Sequence, residues 1–261
     1  MIQVFVAPFR FLFRLGSEGI MAVGEIFWLL FQVVIRIPLV RKNPDLTVKQ
    51  MISIGVSSIP LLFITSLFTG AVAAVQSAYQ FRNFIPDKFI GTAISKMVLI
   101  ELGPILTALV LAGRVGSALA AEIGSMKGKE ELSAFEALNL DPLRYLALPR
   151  FVAFFIMVPC LSILSSFLAI IGGWIVCVLA LDITTYTYYT GLQYMFQGMD
   201  LVSGIIKSFI FGVIIFLLGY YHGLNAGEGA KGVGLATMKT VVSACVSLLI
   251  FDFLTAIIMF S

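Results

Sequence analysis

Residues 113–150 read GRVGSALAAEIGSMKGKEELSAFEALNLDPLRYLALPR, Gly113 to Arg150, and this stretch decides how the chain is built. It lies between long apolar runs, yet it holds ten of the chain's 17 Lys/Arg and 14 Asp/Glu residues. An apolar chain that gathers its charge into one internal segment presents that segment to water. The first half is patterned for close helix packing. Gly113, Ser117, Ala121 and Ser125 recur every four residues, as do Gly116, Ala120 and Gly124. Both rows are small-xxx-small, which lets helix backbones approach one another. The second half, Lys127 to Leu138, reads as a short amphipathic helix. Leu132, Phe135 and Leu138 fall on one side of it, and Lys129, Ser133 and Glu136 on the other. Asp141-Pro142 then supplies an N-cap and a first-turn proline for a new helix. One crossing of the membrane thus ends, a helix in water over about residues 126–140 runs across its mouth, and another crossing begins.

The rest of the chain fits that frame. Its 261 residues are 60% hydrophobic and 12% charged, against about 25% charged in soluble domains. With a mean hydropathy of +1.04 this is an integral membrane protein. The net charge of +3 gives no sign of nucleic-acid binding. Apolar runs predict five spans, at about 50–81, 89–122, 150–181, 201–221 and 240–260; each reaches the ~20 residues a crossing helix needs. Residues 182–200 form a loop rich in Thr and Tyr, where Tyr186, Tyr188 and Tyr189 suit an interfacial aromatic belt. Residues 222–239 read as a Gly-rich loop on the opposite side. The fold class is therefore an all-α polytopic membrane protein.

Residues 1–44 form a separate unit ahead of the transmembrane domain of 45–261. Arg10, Arg14, Ser17, Glu18, Glu25, Gln32 and Arg36 fall within an arc of about 100° on an otherwise apolar helix. One narrow polar stripe suits a helix lying in the membrane interface; a first true span is the alternative. No compact apolar core is followed by a small-residue cleavage site, so no secretory signal is expected. Thirteen basic residues (Arg10, Arg14, Arg36, Arg41, Lys42, Lys49, Arg114, Lys127, Lys129, Arg144, Arg150, Lys231 and Lys239) fall on one side. Only Arg82 and Lys88 fall on the other. The positive-inside rule then places the N-terminus in the cytoplasm and the C-terminus outside.

Nothing in the chain reads as an enzyme. His222 is the only histidine, and neither GAKGVG nor GSMKGKE is a P-loop. Cys160, Cys177 and Cys245 are isolated in apolar runs, which predicts free thiols. No metal or cofactor is expected. Glu101 is the most informative intramembrane charge. An acidic side chain there costs about 2.5–3.5 kcal/mol on insertion scales, so it needs a partner or a wet cavity. Lys96 and Lys207 are the candidate partners, and the break at Pro104 would open the helix beside it. Asp252 is expected simply to reach the interface.

GRVGSALAAEIGSMK, FEALNLDPLRYL and the LPR that follows, with ELGP at Glu101–Pro104 upstream and GAKGVGLATMKTVV at Gly229–Val242 downstream, closely resemble the MlaE/YrbE-type permeases of ABC lipid transporters. The likeness runs from about residue 45 to the C-terminus. It implies that the helix in water is a coupling helix for a separate ATPase subunit, carried by Lys127, Lys129, Glu130, Glu131, Leu132, Phe135, Glu136 and Leu138. It further implies a homodimer packed through small residues (Gly113, Gly116, Ser117, Ala120, Ala121, Gly124) around a pocket for phospholipid. Other implied partners are an MCE-domain substrate-binding subunit and a small STAS-type regulatory subunit. The implied location is the bacterial inner membrane, with lipid moving between inner and outer membranes. Lys96, Glu101 and Pro104 become candidate lipid-pathway residues, although a structural ion pair at Glu101 stays open. In that family a basic residue often precedes the glutamate, whereas Ile100 stands here. An ion-coupled transporter and a non-transporting membrane anchor are the rival readings.

Overall fold

The computed structural model describes residues 21–42, 44–81 and 86–260. Arg10, Arg14, Ser17 and Glu18 of the polar stripe, and Arg82 between the first two spans, lie outside the described residues. The described chain is helical throughout. A short apolar helix α1 (Met21–Ile35) leads through a 3₁₀ turn (Ile37–Lys42) into the spans α2 (Pro44–Phe81) and α3 (Lys88–Gly128). The charged segment folds as α4 (Glu131–Ala137). Then come the span α5 (Leu143–Ala180), a short helix α6 (Thr185–Tyr194) and the spans α7 (Gly198–Leu224) and α8 (Gly229–Phe260). Five of these helices are long and apolar enough to cross a membrane.

Each spanning helix runs past its apolar stretch, most of all at the ends nearest α4. The Gly-rich segment expected as a loop over 222–239 is largely helix, because α8 starts at Gly229. Only Gly229, with φ of +70°, needs a backbone that other residues resist. Gly223 and Gly232 serve contact instead: a Cβ on Gly232 would sit 2.1 Å from the Gly227 carbonyl oxygen. α1 is 15 residues in its described part, about 22 Å at 1.5 Å per residue. It buries Leu29 and Val33 in the main core and leaves Trp28 and Phe31 stacked and exposed. One apolar face of α1 thus packs on the bundle and another apolar face is left exposed.

Two cores hold the bundle. The larger lies toward the α4 end, where Phe151, Phe154, Phe211, Phe216 and Tyr220 meet Leu111, Ile123 and Leu248. The smaller, at the far end, gathers Ile90, Ile94, Val98, Cys177 and Tyr188. Tyr188 therefore departs from the expected aromatic belt. Its hydroxyl donates to the Ile170 carbonyl at 2.9 Å, and burial pushes its phenol pKa up. Tyr186 and Tyr189 remain exposed. α2 and α5 approach backbone to backbone. A Cβ at Gly70 would stand 1.7 Å from the Ala169 carbonyl oxygen, and one at Gly172 would stand 2.1 Å from that of Leu67.

α3 is not a uniform α-helix. It contains two π-turns, Val98–Leu102 and Ala112–Gly116, and α5 begins with a third, Leu143–Ala147. The first has a cause in the sequence. The Gly103 N–H bonds to the Val98 carbonyl, and Pro104, next in line, has no N–H to give to Leu99. The freed Leu99 carbonyl lies against Gly204 of α7, where a Cβ would sit 2.2 Å from it. Proline and glycine thus fit together across two spans.

Candidate functional site

The charged segment protrudes from the bundle. α3 stays helical to Gly128, and Lys127 Nζ donates to the Ala226 carbonyl at 3.1 Å, tying its last turn to the α7–α8 connection. The chain then reverses at Glu130, whose φ of 59° is left-handed. α4 is shorter than the sequence suggested and starts at Glu131, because that reversal takes up Lys129 and Glu130. It buries no residue. Leu132 and Phe135 are half-covered, whereas Leu138 is 71% exposed and Lys129, Glu130 and Glu136 face solvent. Lys129 and Glu131 approach to 4.0 Å, both well exposed; such a contact contributes little.

Two ion pairs and a cap fix the base of α4. Asp141 Oδ1 accepts the Leu143 N–H at 3.0 Å, as an N-cap should. Its other oxygen accepts Arg36 Nε at 2.8 Å, which joins the end of α1 to the start of α5. Arg150 on α5 donates to Glu122 on α3 at 2.5 Å and to the Leu146 carbonyl at 2.7 Å. Arg114, inside the second π-turn of α3, donates to Ser58 of α2. Sequence reading finds the Asp141 cap but none of the pairs Arg36–Asp141, Glu122–Arg150 and Ser58–Arg114, since each of these joins residues far apart in the chain.

The two small-residue rows part company. A Cβ on Gly116 would meet Ile215 at 3.1 Å, and one on Gly124 would meet Ala226 at 3.0 Å. Ala120 is fully buried, and its carbonyl lies 3.1 Å from where a Gly223 Cβ would stand. The Gly116–Ala120–Gly124 row is thus filled by α7 and α8 of the same chain. Among the described residues Gly113 meets nothing within 4 Å, and Ser117 and Ala121 on its row are only half-covered. The described residues thus leave that row partly open.

Inside the bundle, Lys207 of α7 is 0% exposed and bonds Glu101 Oε2 at 2.6 Å and Asp252 Oδ1 at 2.9 Å. Three spans, α3, α7 and α8, meet on this one ammonium. Asp252 does not reach out to the interface as expected, because Lys207 holds it inward. Lys96 has a different partner: its ammonium sits 3.2 Å from Asp200, which also closes a capping box with Gln197 at the start of α7. Pro104 is buried and shapes the backbone. Glu101 keeps an open edge, with 35% of its side chain exposed. Among the described residues no cluster could hold a metal ion, and the three cysteines are free.

A polytopic bundle, a protruding helix between its second and third spans, and the helical GRVGSALAAEIGSMK segment that leads into it mark a transporter permease. The family profile described as Permease MlaE matches residues 47–258. The chain belongs to the MlaE permease family. Its relatives include the "Intermembrane phospholipid transport system permease protein MlaE" of Haemophilus influenzae, 36% identical over 96% of this chain and 98% of that one. A "Probable ABC transporter permease protein" of Rickettsia felis is 38% identical over 80% of this chain and 81% of its own. The "Probable ABC transporter permease protein slr1045" of Synechocystis is 38% identical over 90% and 89%. The MlaE profile takes in all five spans, α4 and the Lys207 cluster; α1 lies before it.

Proposed function

We propose that this MlaE-family chain is the membrane subunit of an ABC transporter that moves phospholipid between the inner and outer membranes. The observation that carries the reading is α4, a helix with no buried residue set between two spans and tied to them at its base. A surface helix anchored at both ends receives motion from a partner; a mere connecting loop has no need of such bracing. The partner is a separate ATPase subunit, since this chain has no P-loop. Leu132, Phe135 and Leu138 supply the apolar contact, and Lys127, Lys129, Glu130, Glu131 and Glu136 the charged rim. Motion of α4 would pass into α3 and α5 through Glu122–Arg150.

The working unit is a homodimer, with Gly113, Ser117 and Ala121 on an open face of α3. An MCE-domain subunit meets the far end, and a small STAS-type subunit accompanies the ATPase. The location is the bacterial inner membrane, with the N-terminus and α4 in the cytoplasm and the C-terminus in the periplasm. Of Lys96, Glu101 and Pro104, we propose Glu101 as the residue that meets lipid, because its edge is open while Pro104 is enclosed.

Reconstitution with the ATPase in vesicles tests the reading. ATP-dependent lipid transfer that needs α4 is the expected result. Transport that follows an ion gradient without nucleotide would replace it with the ion-coupled mechanism, and an inert complex would leave only an anchor.

A further inference from the structure

Thr107 on α3 is 1% exposed, and its hydroxyl has no hydrogen-bond partner among the described residues. Helical Thr65, Thr69 and Thr240 turn the hydroxyl back to the carbonyl four residues earlier, whereas Thr107, like Thr47, does not. Thr107 instead lines a cavity of about 10 Å³ where α2, α3 and α5 meet. Thr65, Ser66, Thr69 and Ser165 line it as well, and the Ser66 and Ser165 hydroxyls bond each other at 2.7 Å.

We infer that this cavity is a binding site for one ordered water molecule, which bridges the Thr107 hydroxyl to the Ser66–Ser165 pair. Volume points to the ligand: one water needs at least about 10–15 Å³, so a space of about 10 Å³ sits at the lower limit for one. Chemistry agrees, since the polar lining consists of hydroxyls with no charged group to hold an ion. A dry cavity would leave Thr107 desolvated and unpaired in the membrane interior, an arrangement that carries the full desolvation cost. A water there can donate to one serine oxygen and still accept from or donate to Thr107. The place in the fold gives the site its meaning. Gly103–Leu111 is the segment of α3 between the two π-turns, so its hydrogen-bond ladder changes register at both ends. A water at its side keeps the Thr107 hydroxyl paired where α2 and α5 pack against this segment. This inference stands apart from the choice of lipid or partner.

The sign of one stability change decides it. Thr107→Val keeps the shape and removes the hydroxyl. With a bridging water present, the variant lowers Tm of the purified protein in detergent by about 2–4 °C, and its effect is non-additive with that of Ser165→Ala. In a dry cavity the same change removes an unpaired polar group, so Tm holds or rises and the two effects add. Either of those results overturns the proposal. Hydroxyl-radical labelling under an X-ray beam gives a second readout that does not depend on Ser165→Ala folding. Oxidation of Leu102 and Leu106, which line the cavity, falls in Thr107→Val if the water is the radical source. Unchanged labelling counts against it.

Discussion

Arg36 Nε donates to Asp141 Oδ2 across 2.8 Å, while the other oxygen of that carboxylate caps α5 through the Leu143 N–H at 3.0 Å. One side chain thus fixes the end of α1, the end of the protruding segment and the start of the third span.

The two halves of this contact should differ in weight. The ion pair is partly exposed on both sides, so Arg36→Ala is expected to cost about 0–1 kcal/mol. Asp141→Ala loses the cap as well, which adds about 1 kcal/mol. The charge swap Arg36→Asp with Asp141→Arg restores the pair but not the cap, and should remain less stable than Arg36→Ala. Thermal unfolding of the four proteins in detergent checks the order. Equal losses for both single variants would remove the cap from the account.

How much of this was readable beforehand follows from the range of each interaction. The five spans, the protruding helix and its Asp141-Pro142 restart rest on local composition and spacing, and all appear in the structure. Lys207 could be named as a possible partner of Glu101, because an intramembrane acid demands a base and few bases lie in the spans. Asp252 could not be assigned, since nothing in its flanking FDF shows that α8 turns it toward α7. The glycines of 227–234 read as loop, because local propensity cannot show that a neighbouring backbone will fill their empty face. Tyr188 reads as interfacial for the same reason: Tyr186 and Tyr189 beside it are exposed, and only the fold makes it core.

The protruding helix supports a direct test of coupling. Leu138→Asp and Glu136→Arg change side chains that touch solvent, so Tm should stay within about 1 °C of the parent, as for surface changes. Binding of the ATPase should fall at least tenfold, roughly 1.4 kcal/mol or more. Phe135→Asp should weaken binding too, but with some loss of stability, because that ring is half-covered. Undiminished pull-down and ATP turnover in Leu138→Asp and Glu136→Arg would show that the ATPase docks elsewhere.

The split between the two small-residue rows predicts opposite phenotypes for two neighbouring glycines. Gly116→Leu forces a side chain into Ile215 and Thr240 and should destabilise the protomer by about 1–3 kcal/mol. Gly113→Leu enters open space, so the protomer should keep its Tm. If that row is the face between two copies, Gly113→Leu instead yields monomers by native mass spectrometry. A stable dimer of Gly113→Leu would move the interface away from this face.

The cluster around Lys207 allows the riskiest prediction. The lysine is 0% exposed and bonds two carboxylates, so its loss differs in kind from the loss of either partner. Lys207→Met leaves Glu101 and Asp252 facing each other with no cation, and removing one member of a buried pair costs about 3–5 kcal/mol. Glu101→Gln leaves Lys207 still paired with Asp252 at 2.9 Å, and the new amide can keep an oxygen toward the ammonium. Its cost should be markedly smaller. Glu101 is also the member with an open edge, so a role toward lipid predicts a specific signature. Glu101→Gln should purify as an intact complex with near-parental Tm, altered bound lipid and lowered lipid-stimulated ATP turnover. Lys207→Met should lose stability first, whatever lipid the surviving protein carries. Thermal unfolding and lipid mass spectrometry on the three proteins side by side separate the cases. If Glu101→Gln falls as far as Lys207→Met and its bound lipid is unchanged, Glu101 only staples the spans together and the lipid path runs elsewhere.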